Sequence, residues 1–551
     1  MPDEIVPGAD VFIVMQNPGE NEEEVGRPAV GASGEYLNTH FLPLAGLSRE
    51  TVSVGNVLKC RWRDPKKGTK TNDLPSKTGV WNEGKKKWDK ALGNKVEKLA
   101  MAQCMSAHLR VPKHIKLIVT LGEVPAKAIA KVESVTEWRG HLAEMQYENV
   151  PVFLSYHPSY LLQSPRMSIP AMIDWKRIKL FLDGKFPEPV PQRTVIGKDQ
   201  ADSVKKLTAV PGTAYVTYDL EWDVETKVPF LAGIAFFNEQ GDVIGGVQVW
   251  TKEVDQDDLK SLLLWLFWRF PVVMHNAAAD LEITKRAWDI GCEHFCEFHD
   301  TIQLHAVSHS EWPHDLGFCE SLYGRHIRLK GKSKENVLLY NWGDCITTGY
   351  TFHQLRQIAK TDPISFKVYQ TENLPVIPIR VESKIEGIRL DTQFLSRMSD
   401  DLARRAIAAQ NIAEMYAGIH VGSPLQVSTY LTKVEKMKLP KSKTTGNESV
   451  DKDVIADLRR ELLDYDPEEE KDGIDESQLL HNIMAGGHPI LEARACYANA
   501  YNLRSHYITT LLRKGVPVGR EHYDPDEFVS RCYPDQHTHP QSSGRWSTVE
   551  P

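Results

Sequence analysis

The sequence has little of what would mark a membrane, secreted or strongly basic protein. No apolar run is long enough to suggest a membrane span, and the N-terminus has no charged-then-apolar signal pattern. Eight cysteines are scattered over 551 residues, which favours a reducing compartment such as the cytoplasm. The net charge is −8, so the surface is not uniformly basic. Local basic patches can still bind nucleic acid, so that class stays open.

What is present is the composition of an ordinary globular protein, with 41% hydrophobic and 25% charged residues. The length predicts three or four domains. A proline-rich segment at 186–192 predicts an extended, stiff linker between the first two of them. We therefore expect a first domain at 1–185, a second at 193–370, a third at 371–535, and the start of a further one at 536–551.

Carboxylates recur at three places in the second domain. Asp219 and Glu221 are two positions apart on a predicted strand, so they share one face. Asp280 lies in a helical run that follows another predicted strand, while Tyr340 and Asp344 are four apart on a predicted helix. Carboxylates without soft ligands suit Mg²⁺ or Mn²⁺. The set therefore predicts a divalent-metal site.

The ordered motifs D-x-E, N-x-x-x-D and Y-x-x-x-D resemble the DEDDy-type 3′–5′ exonuclease of family A DNA polymerases. The resemblance implies an α/β ribonuclease-H-like fold and two Mg²⁺ or Mn²⁺ ions held by Asp219, Glu221 and Asp344. It implies that Asp280 acts through water and that Tyr340 orients the attacking water. Asp300 matches another recurrent acidic position of that domain.

The first domain alternates predicted strands and helices, which is typical of an α/β layer. Its motifs P-G-x-x-E, G-R-P-x-V-G-x-x-G, N-V-x-K-C-R and H-P-S-Y-L-L resemble the uracil-DNA glycosylase superfamily, especially its iron–sulfur, thermostable branch. A flipped base needs a dedicated pocket. By resemblance, the pocket residues here are Gln16, Asn17, Ala29, Asn56 and His157. Asn56 would read the uracil edge, and His157 would hydrogen-bond the departing base.

Three positions bear on whether this pocket is active. Gln16 stands where the branch carries glutamate, and an amide cannot act as a base on water. Asn17 gives N-P-G, as in the mismatch-specific and single-strand-selective branches, where asparagine positions the water. Ala29 stands at the uracil-stacking phenylalanine and removes the aromatic platform. We expect uracil binding with weak or absent excision.

Two readings of the cysteines involve metal. Cys60 and Cys104 match the last two ligands of the branch's 4Fe–4S cluster, but the first two have no counterpart. We therefore expect remnant ligands and no cluster. A zinc site is an alternative, although its residues lack the paired C-x-x-C spacing. Its ligands would be Cys292, His294, Cys296 and His299.

A polar insertion at 61–98 separates Cys60 from Cys104 and contains tryptophans and the basic run Lys85, Lys86 and Lys87. Basic residues interleaved with aromatic ones suit DNA backbone contact and base stacking. A solvated flexible loop is an equal alternative.

The third domain resembles the mostly α-helical thumb of family A polymerases, with a long helix predicted over 490–512. A thumb grips duplex through backbone contacts. The final S-G-R-W-S-T-V-E-P resembles the palm-opening motif T-G-R-L-S-S-x-x-P and makes Arg545 a predicted DNA contact. The rest of the palm and the fingers are missing. We therefore expect no primer extension by this chain alone. The chain would be either a truncated sequence or one piece of a split polymerase that needs a separate palm–fingers chain.

The favoured hypothesis is the proofreading exonuclease and DNA-binding portion of a family A polymerase in DNA replication and repair. It would act on primer-template and single-stranded 3′ ends in the cytoplasm of a bacterial or phage-infected cell. Two alternatives stay open. One is a uracil-DNA glycosylase or uracil-sensing repair protein, and the other is a non-catalytic DNA-binding subunit of a split polymerase.

Overall fold

A computed structural model describes residues 1–64, 69–207, 210–329, 336–442, 448–462, 474–514, 516–517, 529–532, 535–537 and 547–550. The chain divides into two compact units, Met1–Val381 with Thr538–Trp546, and Glu382–His537 with Ser547–Pro551. Arg545, a predicted DNA contact, lies outside the described residues. Within those residues, no helix has the length and apolar character needed to cross a bilayer.

The N-terminal part of the first unit is a parallel sheet covered by helices. Its strands are β1 (Val11–Met15), β2 (Val52–Asn56), β3 (Trp62–Arg63), β4 (Lys70–Thr71), β5 (Val80–Asn82), β6 (Lys87–Asp89), β7 (Leu117–Leu121) and β8 (Val152–Ser155). Its helices are α1 (Glu20–Val25), α2 (Ala32–Tyr36), α3 (Pro75–Thr78), α4 (Lys90–His108), α5 (Glu123–Pro125), α6 (Val135–Trp138), α7 (Pro158–Gln163) and α8 (Ser168–Leu182). The four long strands lie in the order β2-β1-β7-β8 and are parallel. Every residue of β1, β7 and β8 is buried, as expected for a sheet covered on both faces. The α/β prediction is confirmed here.

The rest of the first unit is built on a mixed six-stranded sheet. Its strands are β9 (Thr194–Ile196), β10 (Tyr215–Trp222), β11 (Pro229–Phe237), β12 (Val243–Trp250), β13 (Val272–Met274) and β14 (Phe298–Asp300). The helices that follow are α9 (Gln256–Arg269), α10 (Ala277–Trp288), α11 (Thr301–Ser308), α12 (Leu316–Tyr323), α13 (Val337–Thr361), α14 (Pro363–Val368) and α15 (Val376–Glu386). The spatial order is β14-β13-β10-β11-β12-β9, with β11 antiparallel to both of its neighbours. The β11–β12 hairpin turns at Gly241, whose φ of 77° suits glycine.

These two parts of the first unit meet at a buried seam, which we define as Arg139, Asp174, Arg177, Ser321 and Arg328. Arg139 is fully buried, forms an ion pair with Asp174 and donates to Ser321 Oγ at 2.7 Å. Arg177 and Arg328 each donate to a backbone carbonyl across the seam. The two parts are therefore joined by interior contacts.

The predicted linker 186–192 has no helix or strand, and it packs along both parts. Phe186 is buried against Phe153 of β8, with ring centroids 6.4 Å apart. Glu188 donates its N–H to the Arg325 carbonyl at 2.7 Å, and the Pro191 carbonyl accepts from the Trp342 indole at 2.8 Å. The segment is thus docked along its length.

The second unit is mostly helical. Its helices are α16 (Thr392–Ala417), α17 (Pro424–Lys433), α18 (Lys452–Leu462), α19 (Glu476–Met484), α20 (Pro489–Asn502) and α21 (Thr509–Lys514). A small sheet has the order β15-β17-β16, from β15 (Ile388–Asp391), β16 (Val516–Pro517) and β17 (Val529–Cys532), and β18 (Asp535–His537) pairs with β19 (Ser547–Glu550). One π-helical turn joins α20 to α21, so the long helix predicted over 490–512 is confirmed.

Candidate functional site

Three elements of the mixed sheet bring the predicted carboxylates together. Strand β10 carries Asp219 and Glu221 near its carboxyl end, α10 carries Asp280 directly after β13, and α13 carries Asp344. The charges of all four act on the buried thiol of Cys345. Burial raises the pKa of that thiol well above its usual range, and the charges of Asp219, Asp344, Asp280 and Glu221 raise it further. The four carboxylates therefore lie within electrostatic range of the same buried side chain.

Asp280 is the most deeply placed member of this carboxylate cluster. It is buried, and its Oδ1 accepts from the Leu220 backbone N–H at 2.9 Å. Burial, and then the charges of Glu221 and Asp300, raise the pKa of Asp280 well above its usual range. Carboxylates crowded in a poorly hydrated site favour a bound cation, because a cation offsets their mutual repulsion.

Helix α13 supplies the other predicted residue and one that the sequence analysis missed. Tyr340 is half-buried in the first turn, one turn before Asp344. Between them, Asn341 donates its Nδ2 to Asp219 Oδ2 at 2.7 Å and to the Asp219 carbonyl at 3.1 Å. Gly233 pairs with Asp219 in the sheet, and a Cβ there would lie 2.2 Å from Asn341 Oδ1. Glycine is thus required for α13 to approach β10 this closely.

Asp300 has a structural role. It is fully buried at the N-terminus of α11. Its carboxylate accepts three backbone N–H groups, from Asn276 at 3.2 Å, Ala277 at 3.0 Å and Ile302 at 2.9 Å. Two of these begin α10, so Asp300 fixes the helix that carries Asp280.

The carboxylate cluster has the hard oxygen donors that suit Mg²⁺ or Mn²⁺. Among the described residues, no group of three or more His, Cys, Asp or Glu side chains lies close enough to share an ion, and this holds for the carboxylate cluster as well. The zinc alternative gains no support either, since all four of its residues are described. His299 instead contacts Glu297 at 3.0 Å and the Tyr369 hydroxyl at 3.2 Å, and Cys296 is exposed.

The N-terminal sheet brings the predicted uracil-pocket residues to one edge. Gln16 and Asn17 follow β1, Asn56 ends β2 and His157 follows β8, so all lie at the carboxyl ends of parallel strands, where α/β proteins bind ligands. Asn56 is buried, and its Oδ1 has no hydrogen-bond partner among the described residues.

His157 is set up as a neutral hydrogen-bond donor. The Ser159 backbone N–H donates to His157 Nδ1 at 3.1 Å, so the proton of the neutral ring resides on Nε2. Burial lowers the pKa of His157 to about 4. The imidazole therefore stays neutral at physiological pH.

The loop around Ala29 is held by a buried carboxylate. Glu22 accepts the Gly19 N–H at 2.5 Å and the Ala29 N–H at 2.7 Å. Ala29 has a φ of 53°, and a Cβ on Gly34 would lie 2.0 Å from its carbonyl oxygen. Ala29 is buried and presents no ring for stacking.

Gln16 and Asn17 are bonded to each other and to the insertion. Gln16 Nε2 donates to Asn17 Oδ1 at 2.7 Å and to the Asn72 carbonyl at 2.9 Å. The acceptor oxygen of Asn17 is therefore engaged by Gln16. No sequence motif pointed to Asn72, which directly follows β4 and contacts the pocket through Gln16.

The described part of the insertion folds into two small hairpins, β3–β4 and β5–β6, before α4 begins. Trp81 and Trp88 pack edge to face with ring centroids 5.7 Å apart. Lys85 pairs with Asp89 at 3.1 Å, and Lys86 lies in the turn with a φ of 47°. DNA contact by Lys85, Lys86 and Lys87 stays a prediction.

The residues around Cys60 and Cys104 make other contacts in this structure, and the absence of an iron–sulfur cluster stays a prediction. Cys60 is exposed, and Cys104 Sγ accepts the Lys59 backbone N–H at 3.3 Å. Lys59 Nζ contacts Asp3 at 2.5 Å and the Asn56 carbonyl at 2.7 Å. An ion pair thus occupies this part of the chain, and the described residues offer no third and fourth ligand.

Comparison with known proteins bears on this N-terminal pocket. Residues 2–180 match the family model of the uracil DNA glycosylase superfamily. The type-4 uracil-DNA glycosylase of Sulfurisphaera tokodaii is 30% identical over 189 residues, which are 32% of this chain and 73% of that protein. The type-4 enzyme of Archaeoglobus fulgidus is 28% identical over 194 residues, 33% of this chain and 84% of that protein.

A solved structure, the POL domain of Pol1 from M. smegmatis in complex with DNA primer-template and dNTP, aligns with a TM-score of 0.47 and 16% identity. The alignment covers 65% of this chain and 55% of that one, so this chain spans little more than half of it. The sequence relationship is the stronger of the two findings: through residues 2–180, the chain belongs to the uracil-DNA glycosylase superfamily.

Proposed function

We propose that the chain is a DNA-processing enzyme that removes nucleotides from 3′ ends. The observation that carries the proposal is the convergence of Asp219, Glu221, Asp280 and Asp344 around Cys345. The sheet order, with one antiparallel strand beside β10, supports a ribonuclease-H-like reading of this domain. DNA as the substrate is supported by the family of the N-terminal domain.

Each side chain has a distinct role in the proposed hydrolysis. Asp219, Glu221 and Asp344 would hold Mg²⁺ or Mn²⁺, which when bound stabilises the charge on the attacking and leaving oxygens. Tyr340 would accept or donate a hydrogen bond to the attacking water and so orient it. Asp280 would act through a second water. The water oxygen bonds to phosphorus, the 3′-oxygen of the preceding nucleotide leaves and takes up a proton, and a nucleoside 5′-monophosphate is released.

The test is digestion of a 5′-labelled primer with a mismatched 3′ end in Mg²⁺. Asp219→Ala should slow digestion by about 1,000-fold, because such electrostatic contributions are worth several kcal/mol. Asp223→Ala is the matched control, since Asp223 is exposed near the same strand and its carboxylate accepts from Thr226. Digestion that is absent from the unaltered chain, or unchanged by Asp219→Ala, would contradict the proposal.

A second function is favoured by the N-terminal pocket: binding of uracil in DNA, with weak or absent excision. Two groups support binding, the unpartnered Oδ1 of buried Asn56 and the Nε2–H of neutral His157. Excision also needs an activated water. Gln16 has no basic oxygen and engages the acceptor of Asn17, so that step lacks support. Ala29 offers no ring to hold the base.

This function is tested with single-stranded DNA that contains one uracil, in an Asp219→Ala background that suppresses digestion. We expect tighter binding to uracil DNA than to thymine DNA by fluorescence anisotropy, lost in His157→Ala and kept in the control His114→Ala, whose side chain is exposed. Alkali treatment should show little strand scission. Rapid scission that disappears in His157→Ala would instead identify a working glycosylase.

A further inference from the structure

The Asp219 carboxylate is the end of a chain of side-chain hydrogen bonds that starts at Arg193. Arg193 Nε donates to Gln248 Oε1 at 2.5 Å, and Gln248 Nε2 donates to Asn341 Oδ1 at 2.6 Å. Asn341 Nδ2 then donates to Asp219 Oδ2 at 2.7 Å. We call Arg193, Gln248 and Asn341 the relay.

The relay is shielded from water. Gln248 and Asn341 are fully buried, and Arg193 is half-buried with its guanidinium 5.7 Å above the Trp342 ring. Its three residues come from the segment before β9, from β12 and from α13. Buried amides must find their partners within the protein, so these contacts are retained.

The two charged ends fix the direction of the relay. A guanidinium only donates hydrogen bonds, and an ionised carboxylate only accepts them. Gln248 must therefore turn its oxygen to Arg193 and its nitrogen to Asn341, which in turn directs its own nitrogen to Asp219. Bonds to charged groups are the stronger ones, so both ends stabilise the same orientation.

We propose that the relay is a positioning device for Asp219, which presents the carboxylate in one orientation to a divalent cation. Asn341 contacts both the backbone oxygen and Oδ2 of Asp219, and two contacts on one residue restrict its side-chain torsions. The inference rests on the proposed exonuclease function. It assigns Arg193, Gln248 and Asn341 to positioning, since none of them is a candidate cation ligand.

The nearly isosteric substitution Gln248→Glu reverses the relay. An ionised glutamate still accepts from Arg193 but has no N–H for Asn341 Oδ1 or for the Leu338 carbonyl, which now accepts at 2.9 Å. Asn341 then has to turn its nitrogen to residue 248 and its oxygen to Asp219, which repels the carboxylate. Supporting groups of this kind change metal affinity by about 10- to 100-fold.

The experiment measures Mn²⁺ binding to the full chain by electron paramagnetic resonance of free Mn²⁺, without DNA. We expect Gln248→Glu and Arg193→Met to weaken binding by at least about 10-fold. Arg193→Lys, which keeps a charged donor, should restore most of the affinity lost in Arg193→Met. Arg325→Met is the control, because Arg325 pairs with the partly exposed Asp242 at 3.2 Å.

Melting temperatures decide whether each variant is folded. If the buried substitution Gln248→Glu prevents folding, Arg193→Met still tests the relay. Digestion by the relay variants should recover at saturating Mn²⁺, which a general structural defect would not allow. Equal Mn²⁺ affinity in folded relay variants and in the control overturns the relay but leaves the exonuclease proposal standing. An unaltered chain that neither digests DNA nor binds Mn²⁺ overturns both.

Discussion

The substitution Arg139→Met tests whether the two parts of the first unit unfold together. The guanidinium is fully buried, pairs with Asp174, and also donates at 2.7 Å to Oγ of Ser321, which lies in the part built on the mixed sheet. Methionine fills much of the same volume without charge. The Asp174 carboxylate would keep only its hydrogen bond from Ser155 Oγ at 2.8 Å and would remain buried.

Removing one partner of a buried ion pair costs about 3–5 kcal/mol, because the other charge is left uncompensated. Domains are stable by about 5–15 kcal/mol, so this loss is a large part of the free energy of unfolding. The double variant Arg139→Met with Asp174→Leu should regain most of it, since neither charge of this pair is then left without its partner. Lys179→Met, which breaks the exposed i,i+4 pair of Lys179 with Asp183, should cost less than about 1 kcal/mol.

Hydrogen exchange read by mass spectrometry localises the effect, because peptides from each part report separately. In the unaltered chain, the free energy of opening should be the same for the most protected amides of β8 and of β10. Arg139→Met should lower both values by similar amounts. A loss confined to peptides before residue 185, or a total change below about 1 kcal/mol, would refute a shared unfolding unit.

Three further outcomes follow from the described contacts. The free energy of unfolding should fall as pH drops from 6.5 toward 4. Burial lowers the pKa of His326 to about 4, so in this range the unfolded chain binds a proton that the folded chain does not. Urea titrations should show a loss of up to about 3 kcal/mol for each histidine of this kind. Gln16→Glu, which supplies a carboxylate beside Asn17, should raise uracil release at least about 10-fold over the unaltered chain, measured by alkali cleavage with Gln163→Glu as control. Gly34→Ala should abolish selective binding to uracil DNA in anisotropy titrations, because the added Cβ would lie 2.0 Å from the Ala29 carbonyl oxygen, whereas Gly84→Ala, with its nearest atom at 3.6 Å, should not.

Local pattern was enough to predict the elements that carry both candidate sites. Alternation placed Asp219 and Glu221 on one strand face, and the four-residue spacing placed Tyr340 and Asp344 on one helix. Both signals need only neighbours in the chain. The zinc interpretation gained no support from the structure: short spacing does not ensure that side chains converge, and His299 contacts Glu297 and Tyr369.

The contacts that support the sites were not predictable in this way. Gln248 meets Arg193 across 55 positions and Asn341 across 93, and no motif marks such pairs before the sheet is assembled. Asn72 reaches Gln16 across 56 positions for the same reason. The proline content of 186–192 predicted an extended linker, but its docking depends on surfaces that only the folded parts create.

The distribution of thiols makes the first unit accessible to selective labelling. Among the seven cysteines whose side chains the structure describes, Cys60 and Cys296 are exposed, whereas Cys319, Cys345 and Cys496 are buried. Burial also raises the pKa of the Cys296 thiol, which slows its reaction at neutral pH relative to an unperturbed thiol. A maleimide dye at limiting concentration would thus mark Cys60 first and Cys296 second. One dye would then lie in the part with the N-terminal parallel sheet and the other in the part with the mixed sheet. Both positions are native cysteines, so no substitution near Cys345 is needed.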